Sequence, residues 1–240
     1  MILLATALHL VFVAGCATHV TARPELSEGA GYRSVSILPP MVSIDKSKMT
    51  GGESLVAEAL MMEDKILALL SERLVEKGYE ANTKLTLEKL DQDPELKRAV
   101  TDLQTRLNEL LPVMSRDLKG VAEGRFSLGG EVPIVGSASG ADLLVFVQAH
   151  GLVVSGGLKA FEAIMSLGQS VPEDYLAMMI TLVDARDGRV MATVTGFAHG
   201  SYLKAPDRLV GKALTSAFKK FPAAPSAPRS GPPANASGGS

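Results

Sequence analysis

One nearly continuous apolar run in the second half of the chain constrains the fold most strongly. Residues 141–147 read Ala-Asp-Leu-Leu-Val-Phe-Val, and Asp142 is the one charged residue among them. A short apolar run that is rich in branched side chains is typical of a strand buried on both faces of a sheet. The sequence therefore predicts a strand here that is central in its sheet.

A β-hairpin is predicted after this strand. Two apolar segments, 176–183 and 189–197, flank the sequence Asp184-Ala185-Arg186-Asp187-Gly188. An Asp-Gly pair between two such segments is a strong hairpin signal, because glycine accepts a positive φ. The two strands should therefore be antiparallel. An earlier strand is predicted at 33–38 and should end at the Pro-Pro pair 39–40, since proline cannot donate to the ladder.

Three helices are predicted from apolar residues that recur every three to four positions. The first should be capped by Ser54 and close at Gly78. The second should begin at Asp93 and end at Pro112. The third should follow Pro206 and close the domain. Their apolar stripes are Leu55, Ala59, Met62, Ile66, Leu70 and Leu74 in the first, Leu96, Val100, Leu103, Leu107 and Leu110 in the second, and Leu209, Ala213, Ala217 and Phe221 in the third.

Weaker patterns fill the rest of the chain. A short strand is predicted at 79–85 and a helix-like segment around 158–167, whereas the glycine-rich stretch 120–140 is interpreted as an ordered loop or short turns. From 222 onward the chain is mostly Pro, Ala, Ser and Gly, which cannot bury enough apolar surface to order itself. We expect a single α/β domain over 33–221 and a disordered tail over 222–240.

Composition excludes several classes of protein. With 46% hydrophobic and 21% charged residues the chain is globular rather than disordered or fibrous. A net charge of −2 provides no positive field to attract phosphates, so we expect no nucleic acid partner. The single cysteine rules out an internal disulfide and a Cys-rich zinc site.

The amino terminus predicts the compartment. Residues 2–15 are apolar but too few to span a bilayer, which needs about 20, and they suit the h-region of a signal peptide. The run ends in Val13-Ala14-Gly15-Cys16, which resembles a bacterial lipobox. This resemblance implies cleavage after residue 15 and acylation of Cys16, since several acyl chains on one residue give stable membrane anchoring. An ordinary core segment with a buried cysteine is the alternative.

The residues after Cys16 predict which membrane holds the protein and how far its domain lies from that membrane. Ala17 rather than Asp follows the cysteine, and in the enterobacterial sorting pattern this resemblance implies the outer membrane, with the domain facing the periplasm. Residues 16–32 are mostly polar and include a proline and two glycines near residue 31. We therefore expect a tether that lifts the domain off the membrane.

Few residues have the type and spacing that catalysis or metal binding requires. His150 and His199 end two predicted strands and could form a metal pair. No third ligand stands at a suitable spacing, so structural histidines are favoured, and neither a metal nor a cofactor is expected.

Segment 136–140 has Ala138 where a nucleophile elbow needs serine. Segment 129–136 lacks the Lys and Ser/Thr of a phosphate-binding loop. Two acidic pairs, Glu63 with Asp64 and Glu173 with Asp174, are interpreted as solvated surface.

Two groups of apolar residues leave alternatives open. The methionines could form an adaptable binding face, although core packing is favoured. The apolar residues of the glycine-rich stretch are either an exposed partner-binding patch or covered core, and the sequence does not choose between them. The first group is Met61, Met62, Met178 and Met179, and the second is Phe126, Leu128, Val132, Ile134 and Val135.

The order of predicted elements resembles the periplasmic domains of the curli-secretion lipoprotein and of LpoB-type lipoproteins. The segments that carry this resemblance are 35–40, 70–79, 141–147 and 182–191. It implies a mixed sheet of about four strands flanked by helices, with a C-terminal hairpin and a closing helix. The segment 87–140 is longer than the simplest members of these families need, and it is interpreted as an insertion.

We expect from this resemblance a lipid-anchored periplasmic module that is not an enzyme and that acts by protein contact in an envelope assembly. Its expected partners are the membrane, through acylated Cys16, and envelope proteins. One alternative is an oligomeric subunit of a secretion channel, in which the chain forms a homo-oligomer. Another is a hydrolase of cell wall or lipid, which no sequence motif supports.

Overall fold

The computed structural model describes residues 19–28, 31–165, 173–202 and 205–225. The predicted signal peptide, Cys16 and residues 226–240 of the predicted tail lie outside these ranges. Eight strands are described: β1 Val20–Ala22, β2 Ser34–Ile37, β3 Met41–Lys48, β4 Gly51–Ser54, β5 Glu80–Asn82, β6 Leu143–Val154, β7 Tyr175–Asp184 and β8 Val190–His199. The helices described are α1 Glu25–Glu28, α2 Val56–Glu76, α3 Leu87–Gln92, α4 Pro94–Met114, α5 Leu118–Ala122, α6 Val132–Ser139, α7 Gly156–Met165 and α8 Pro206–Phe218.

The strands form one mixed sheet with β6 at its centre. The main path is β1-β8-β7-β6-β2-β5, while β3 pairs with the remainder of β6 and β4 pairs with β3. β6 pairs antiparallel with β7 on one side and parallel with β2 and then β3 on the other. The predicted central strand and the antiparallel hairpin of β7 and β8 are thus confirmed, as is the α/β class.

The sheet has eight strands, so the expected number of about four is wrong. The chain does not leave the sheet at Pro39 and Pro40, because β3 begins at Met41 and continues along the same side of β6. The other unexpected strands are short or lie at edges. β4 is exposed throughout, with the sequence Gly-Gly-Glu-Ser, and therefore carries no alternating apolar pattern that could have revealed it.

Alternating residues of β6 build two cores, one on each face of the sheet. Val145 and Val147 belong to the core that α2 and α8 cover. Leu144 and Phe146 belong to the core that α4 and α6 cover. All four side chains are almost completely buried, so the inference of a strand covered on both faces is confirmed.

Sequence signals located some helix ends correctly and others wrongly. Asp93 caps α4, since its carboxylate accepts a hydrogen bond from the N–H of Leu96 at 3.0 Å. Gly78 follows α2 with a φ of 88°, as a helix-closing glycine should. The predicted cap Ser54 is wrong, because it is the last residue of β4. Pro112 lies inside α4 and does not end it, because the helix continues to Met114.

The glycine-rich stretch is more regular than expected. It contains α5 and α6 rather than a loop alone. Leu128, Val132 and Val135 are at most 1% exposed and pack in the core under α4. The covered-core alternative is therefore the correct one for these residues, and Phe126 packs partly buried against them, while Ile134 is exposed.

Both predicted terminal segments contact the domain. β1 pairs antiparallel with β8, and Leu26 of α1 is completely buried, so residues from 19 onward are not the free tether that the sequence predicted. At the other end, the N–H of Ala224 donates to the carbonyl of Lys77 at 2.9 Å. The predicted start of the disordered tail at residue 222 is therefore too early.

Candidate functional site

The face of the sheet that α4 and α6 cover is only partly covered. These helices pack on the half that contains Leu144 and Phe146. Strand residues further along the same face are half-buried or exposed and lie outside either core. They are Ser43 and Asp45 of β3, Gln148 and Leu152 of β6, Tyr175 of β7, and Thr195, Phe197 and His199 of β8.

Four rings form a chain of contacts across this open half. His150 and Tyr175 have ring centroids 6.2 Å apart, Tyr175 stacks on Phe197 at 5.4 Å, and Phe197 meets His199 edge-on at 4.7 Å. We call these four residues, together with Ser43, the aromatic face. The strand register explains it, because residues two apart on a strand point to the same side and neighbouring strands align them.

The two histidines differ in environment. His150 is 5% exposed, and its Nδ1 lies 3.0 Å from the hydroxyl oxygen of Ser43. The His199 side chain is 50% exposed, with its Nδ1 4.0 Å from the carboxylate of Glu173. The two residues are on β6 and β8, with β7 between them. They do not form the adjacent pair that a shared metal needs, and no group of three metal-binding side chains occurs within the described ranges.

Charged groups lie beside the aromatic face. Burial, together with the negative charge of Asp45, raises the pKa of Tyr175, so its hydroxyl remains neutral. Asp174 is 6% exposed and accepts hydrogen bonds from the N–H of Val154 at 3.0 Å and from Lys159 at 2.8 Å. The expectation that Asp174 is solvated surface is therefore wrong, since it fixes the start of β7 to the end of β6.

An ion pair between a buried carboxylate and an exposed arginine closes the opposite end of the sheet. The carboxylate of Asp184 is fully buried and accepts hydrogen bonds from Arg186 at 3.1 and 2.8 Å and from the Tyr32 hydroxyl at 2.6 Å. Burial favours a raised pKa for Asp184, but these donors outweigh it and lower the pKa to about 2. The sequence showed a hairpin turn here, whereas the partner Tyr32 is distant in the chain.

A second carboxylate strengthens this end. Asp142 accepts hydrogen bonds from the N–H groups of Arg33 and Ser34 and from the Ser34 hydroxyl, at 2.7 to 3.1 Å. Burial opposes the shift, but these bonds lower the pKa of Asp142. Both carboxylates hold β2 beside β6 and β7, which gives them a structural role.

The glycine-rich segments carry no recognisable catalytic geometry. Residues 136–139 lie in α6, where the Ser139 hydroxyl is buried and donates to the carbonyl of Gly136 at 2.8 Å. Gly129 has a φ of 85° and lies against Arg106, in a turn before α6. Each segment has a structural role in the fold.

Glu63 and Asp64 are neighbours on α2. Glu63 is half-buried, and burial together with the charge of Asp64 raises its pKa. Among the methionines, Met62, Met178 and Met179 are buried, as core packing predicts, whereas Met61 is 47% exposed. Three of these four methionines therefore supply core, and the four do not form a continuous binding face.

Two shallow grooves run beside α2. One, of about 670 Å³, is lined by α2 residues including Asp64, Glu72 and Val75. The other, of about 400 Å³, lies between α2 and α8 and is basic, with Arg208 and Lys212 among its lining residues. Neither groove includes a residue of the aromatic face.

Cys16, the predicted lipidation site, lies outside the described residues. Within the described ranges, no helix has the length and hydropathy to cross a bilayer.

Comparisons with known proteins give structural similarity alone. No family model and no curated protein sequence matches the chain. The PelC dodecamer from Paraburkholderia phytofirmans is similar over 85% of this chain and 99% of its own, with 13% identity and a TM-score of 0.39. The lipoprotein GNA1162 from Neisseria meningitidis is similar over 77% and 94%, with 12% identity and a TM-score of 0.38. At these low scores the similarity establishes neither the assembly nor the function of this chain.

Proposed function

We propose that this chain is a lipoprotein of the bacterial envelope, acylated at Cys16 in the outer membrane, whose domain faces the periplasm. It binds an envelope protein without catalysing a reaction. This proposal extends the expectation from the sequence by assigning the binding to one surface, the aromatic face.

The aromatic face is the observation that carries the proposal. Helices cover the two cores on either face of the sheet, yet Tyr175 and Phe197 lie outside both cores and remain half-exposed while stacking on each other. Aromatic side chains are enriched at the centres of protein interfaces, where they bury much area at low conformational cost. Because these rings are already packed together, a partner would not have to order them, which favours binding.

The lipobox-like sequence ending at Cys16 supports the location. The thiol is the only one in the chain and would be consumed by the acyl linkage. An anchored domain meets partners in the same membrane at a raised effective concentration, so a modest interface is sufficient for function.

The proposal is tested by crosslinking in living cells followed by purification of the membrane-anchored chain. Phe197→Ala and Tyr175→Ala should each reduce the yield of the partner adduct about tenfold, because truncating a central aromatic residue typically costs over 1 kcal/mol of binding energy. Val113→Ala, which also truncates an exposed apolar residue but lies on α4, is the matched control and should leave the yield unchanged.

Equal adduct yields from all variants at equal membrane abundance would contradict the assignment of the aromatic face. An adduct consisting of two copies of this chain, lost in Phe197→Ala, would favour the oligomeric subunit over the docking module.

A further inference from the structure

Helix α7 exposes its apolar side to solvent. Phe161, Ile164 and Met165 are 45%, 73% and 69% exposed. Their spacing of three and four residues places them on one stripe of the helix. Lys159, by contrast, is half-buried. A surface helix normally buries its apolar stripe and exposes its charges, so α7 has the reverse orientation.

Specific contacts hold α7 in this orientation. The Lys159 ammonium donates to Asp174 at 2.8 Å, and Asp174 also accepts from the N–H of Val154. The first turn is fixed as well, because the N–H of Leu158 donates to the hydroxyl of Ser155 at 3.3 Å. The exposure of the stripe is thus a consequence of defined bonds on the charged side of the helix.

The stripe lies at one end of the sheet. α7 begins two residues after Val154, the last residue of β6, and Val154 is paired with Ser47 near the end of β3. Met49, just beyond β3, is 64% exposed and adds a fourth large apolar side chain at this end. Lys48 at the same end is paired with Glu53.

The chain also leads to Cys16 at this end. His19 is hydrogen-bonded to Thr195 of β8, and β1 runs antiparallel to β8, so the amino-terminal end of β1 is its end nearer His199. Three residues of chain reach at most about 11 Å, whereas the four residues from Thr195 to His199 span about 14 Å. An acyl group on Cys16 must therefore bring the bilayer up to this end of the domain.

We propose that the stripe of α7, formed by Phe161, Ile164 and Met165, inserts into the boundary between headgroups and acyl chains of the bilayer that holds Cys16. The inference depends on the proposed acylation of Cys16. An interfacial helix buries its apolar side about 5–10 Å into this boundary. The insertion gives the domain a second attachment, which fixes its orientation and presents the aromatic face beside the membrane surface.

The experiment uses the full mature chain, purified from membranes and reconstituted in vesicles of phosphatidylethanolamine and phosphatidylglycerol. Intact mass first establishes whether Cys16 is acylated. In the variant Ile164→Cys the new thiol is then the only free one, because the chain has a single cysteine. It is labelled with an environment-sensitive fluorophore, and brominated lipids serve as quenchers. Asp187→Cys, in the exposed turn at the opposite end of the sheet, is the matched control.

We expect brominated lipids to remove roughly half or more of the emission at position 164 and to leave position 187 unchanged, because the stripe reaches the depth of the quenchers. Acylated protein whose probe at 164 is quenched by aqueous iodide and not by lipid overturns the inference while leaving the anchor intact. So does a probe at 164 shielded from both quenchers, which would indicate that a second copy covers the stripe. Protein without acyl mass refutes the proposed anchor itself, so the two failures are distinguishable.

Discussion

His19 and Thr195 are joined by reciprocal hydrogen bonds, although they are 176 positions apart in sequence. The N–H of His19 donates to the Thr195 hydroxyl at 3.0 Å, and the N–H of Thr195 donates to the carbonyl of His19 at 3.0 Å. The domain therefore begins three residues after the predicted acylation site. With Cys16 acylated as proposed, a partner would meet this domain directly at the membrane surface and not at the end of a long tether.

This relationship predicts slow hydrogen exchange near the amino terminus. The amides of His19, Thr21 and Arg23, which face β8 in the antiparallel ladder, should exchange at least about tenfold more slowly than those of an unfolded chain, because β1 is paired with β8 and the N–H of Arg23 donates to Met191 at 2.9 Å. Exchange detected by mass spectrometry on the membrane-extracted protein provides the measurement. Exchange at the unfolded rate would restore the free tether that the sequence predicted.

Acid should weaken the fold through Asp184. Its pKa in the folded protein, about 2, is below the ordinary value of 3.8, so the folded state is stabilised while the carboxylate is ionised. This contribution of about 2 kcal/mol is complete above about pH 4 and is lost as the pH falls toward 2. Urea unfolding across this range should show the loss in the parent chain and a smaller one in Asp184→Asn.

Asp187→Asn is the control for that experiment, since Asp187 lies in the same turn but its side chain is 44% exposed. The explanation fails if both variants keep the acid sensitivity of the parent chain.

Close packing of α8 on β8 requires glycine at position 196. A Cβ added there would collide with the backbone carbonyl of Ala213 and would touch the Ala217 side chain. We expect Gly196→Ala to reduce the free energy of unfolding by about 1–3 kcal/mol, the usual cost of overpacking a core. Thermal and urea unfolding measure the effect.

Gly211→Ala, within α8, is the matched substitution, because a Cβ there meets nothing within 4 Å. It should raise the stability by about 0.5–1 kcal/mol, since alanine is the better helix former. Similar destabilisation by both changes would contradict the role of the close contact at Gly196.

Tyr79→Phe should leave the stability unchanged or raise it by up to about 1 kcal/mol. The Tyr79 hydroxyl is buried and has no hydrogen-bond partner among the described residues, and burial raises its pKa to about 12. Removing an unsatisfied hydroxyl avoids a desolvation cost, while the ring keeps its edge-on contact with Phe221. A loss of more than 1 kcal/mol in urea unfolding would show that the hydroxyl has a partner.

Strong local patterns predicted the centre of this fold. The apolar run after Asp142 and the Asp187-Gly188 turn are signals that need no distant partner, and β6, β7 and β8 follow from them. Asp93 likewise caps α4 through a bond to a residue three positions away. Such signals act within a few residues, so the sequence displays them directly.

Features that depend on distant contacts were missed or misplaced. Ser54 is a good cap residue, but pairing of β4 with β3 places it in a strand. The residues of β1 resemble a tether because three residues cannot show a periodic pattern, and their order depends on pairing with β8. Tertiary pairing overrides local preference at both positions.

In the candidate sites as well, the sequence revealed individual residues but not the contacts that depend on distant parts of the chain. The sequence placed both His150 and His199 at strand ends, and this is correct for His199 alone, because β6 continues past His150 to Val154. Their separation by β7 follows from strand order, which periodicity does not reveal. The rings of Tyr175 and Phe197 meet only because the hairpin register aligns them. The outward stripe of α7 depends on the bond between Lys159 and Asp174, which are 15 residues apart.

The central claim is that this chain is an acylated envelope protein, and the intact mass of the mature protein extracted from membranes tests it most directly. We predict a chain that begins at Cys16 and carries the added mass of a diacylglyceryl thioether. A membrane-extracted chain whose cysteine carries no acyl mass would contradict the claim.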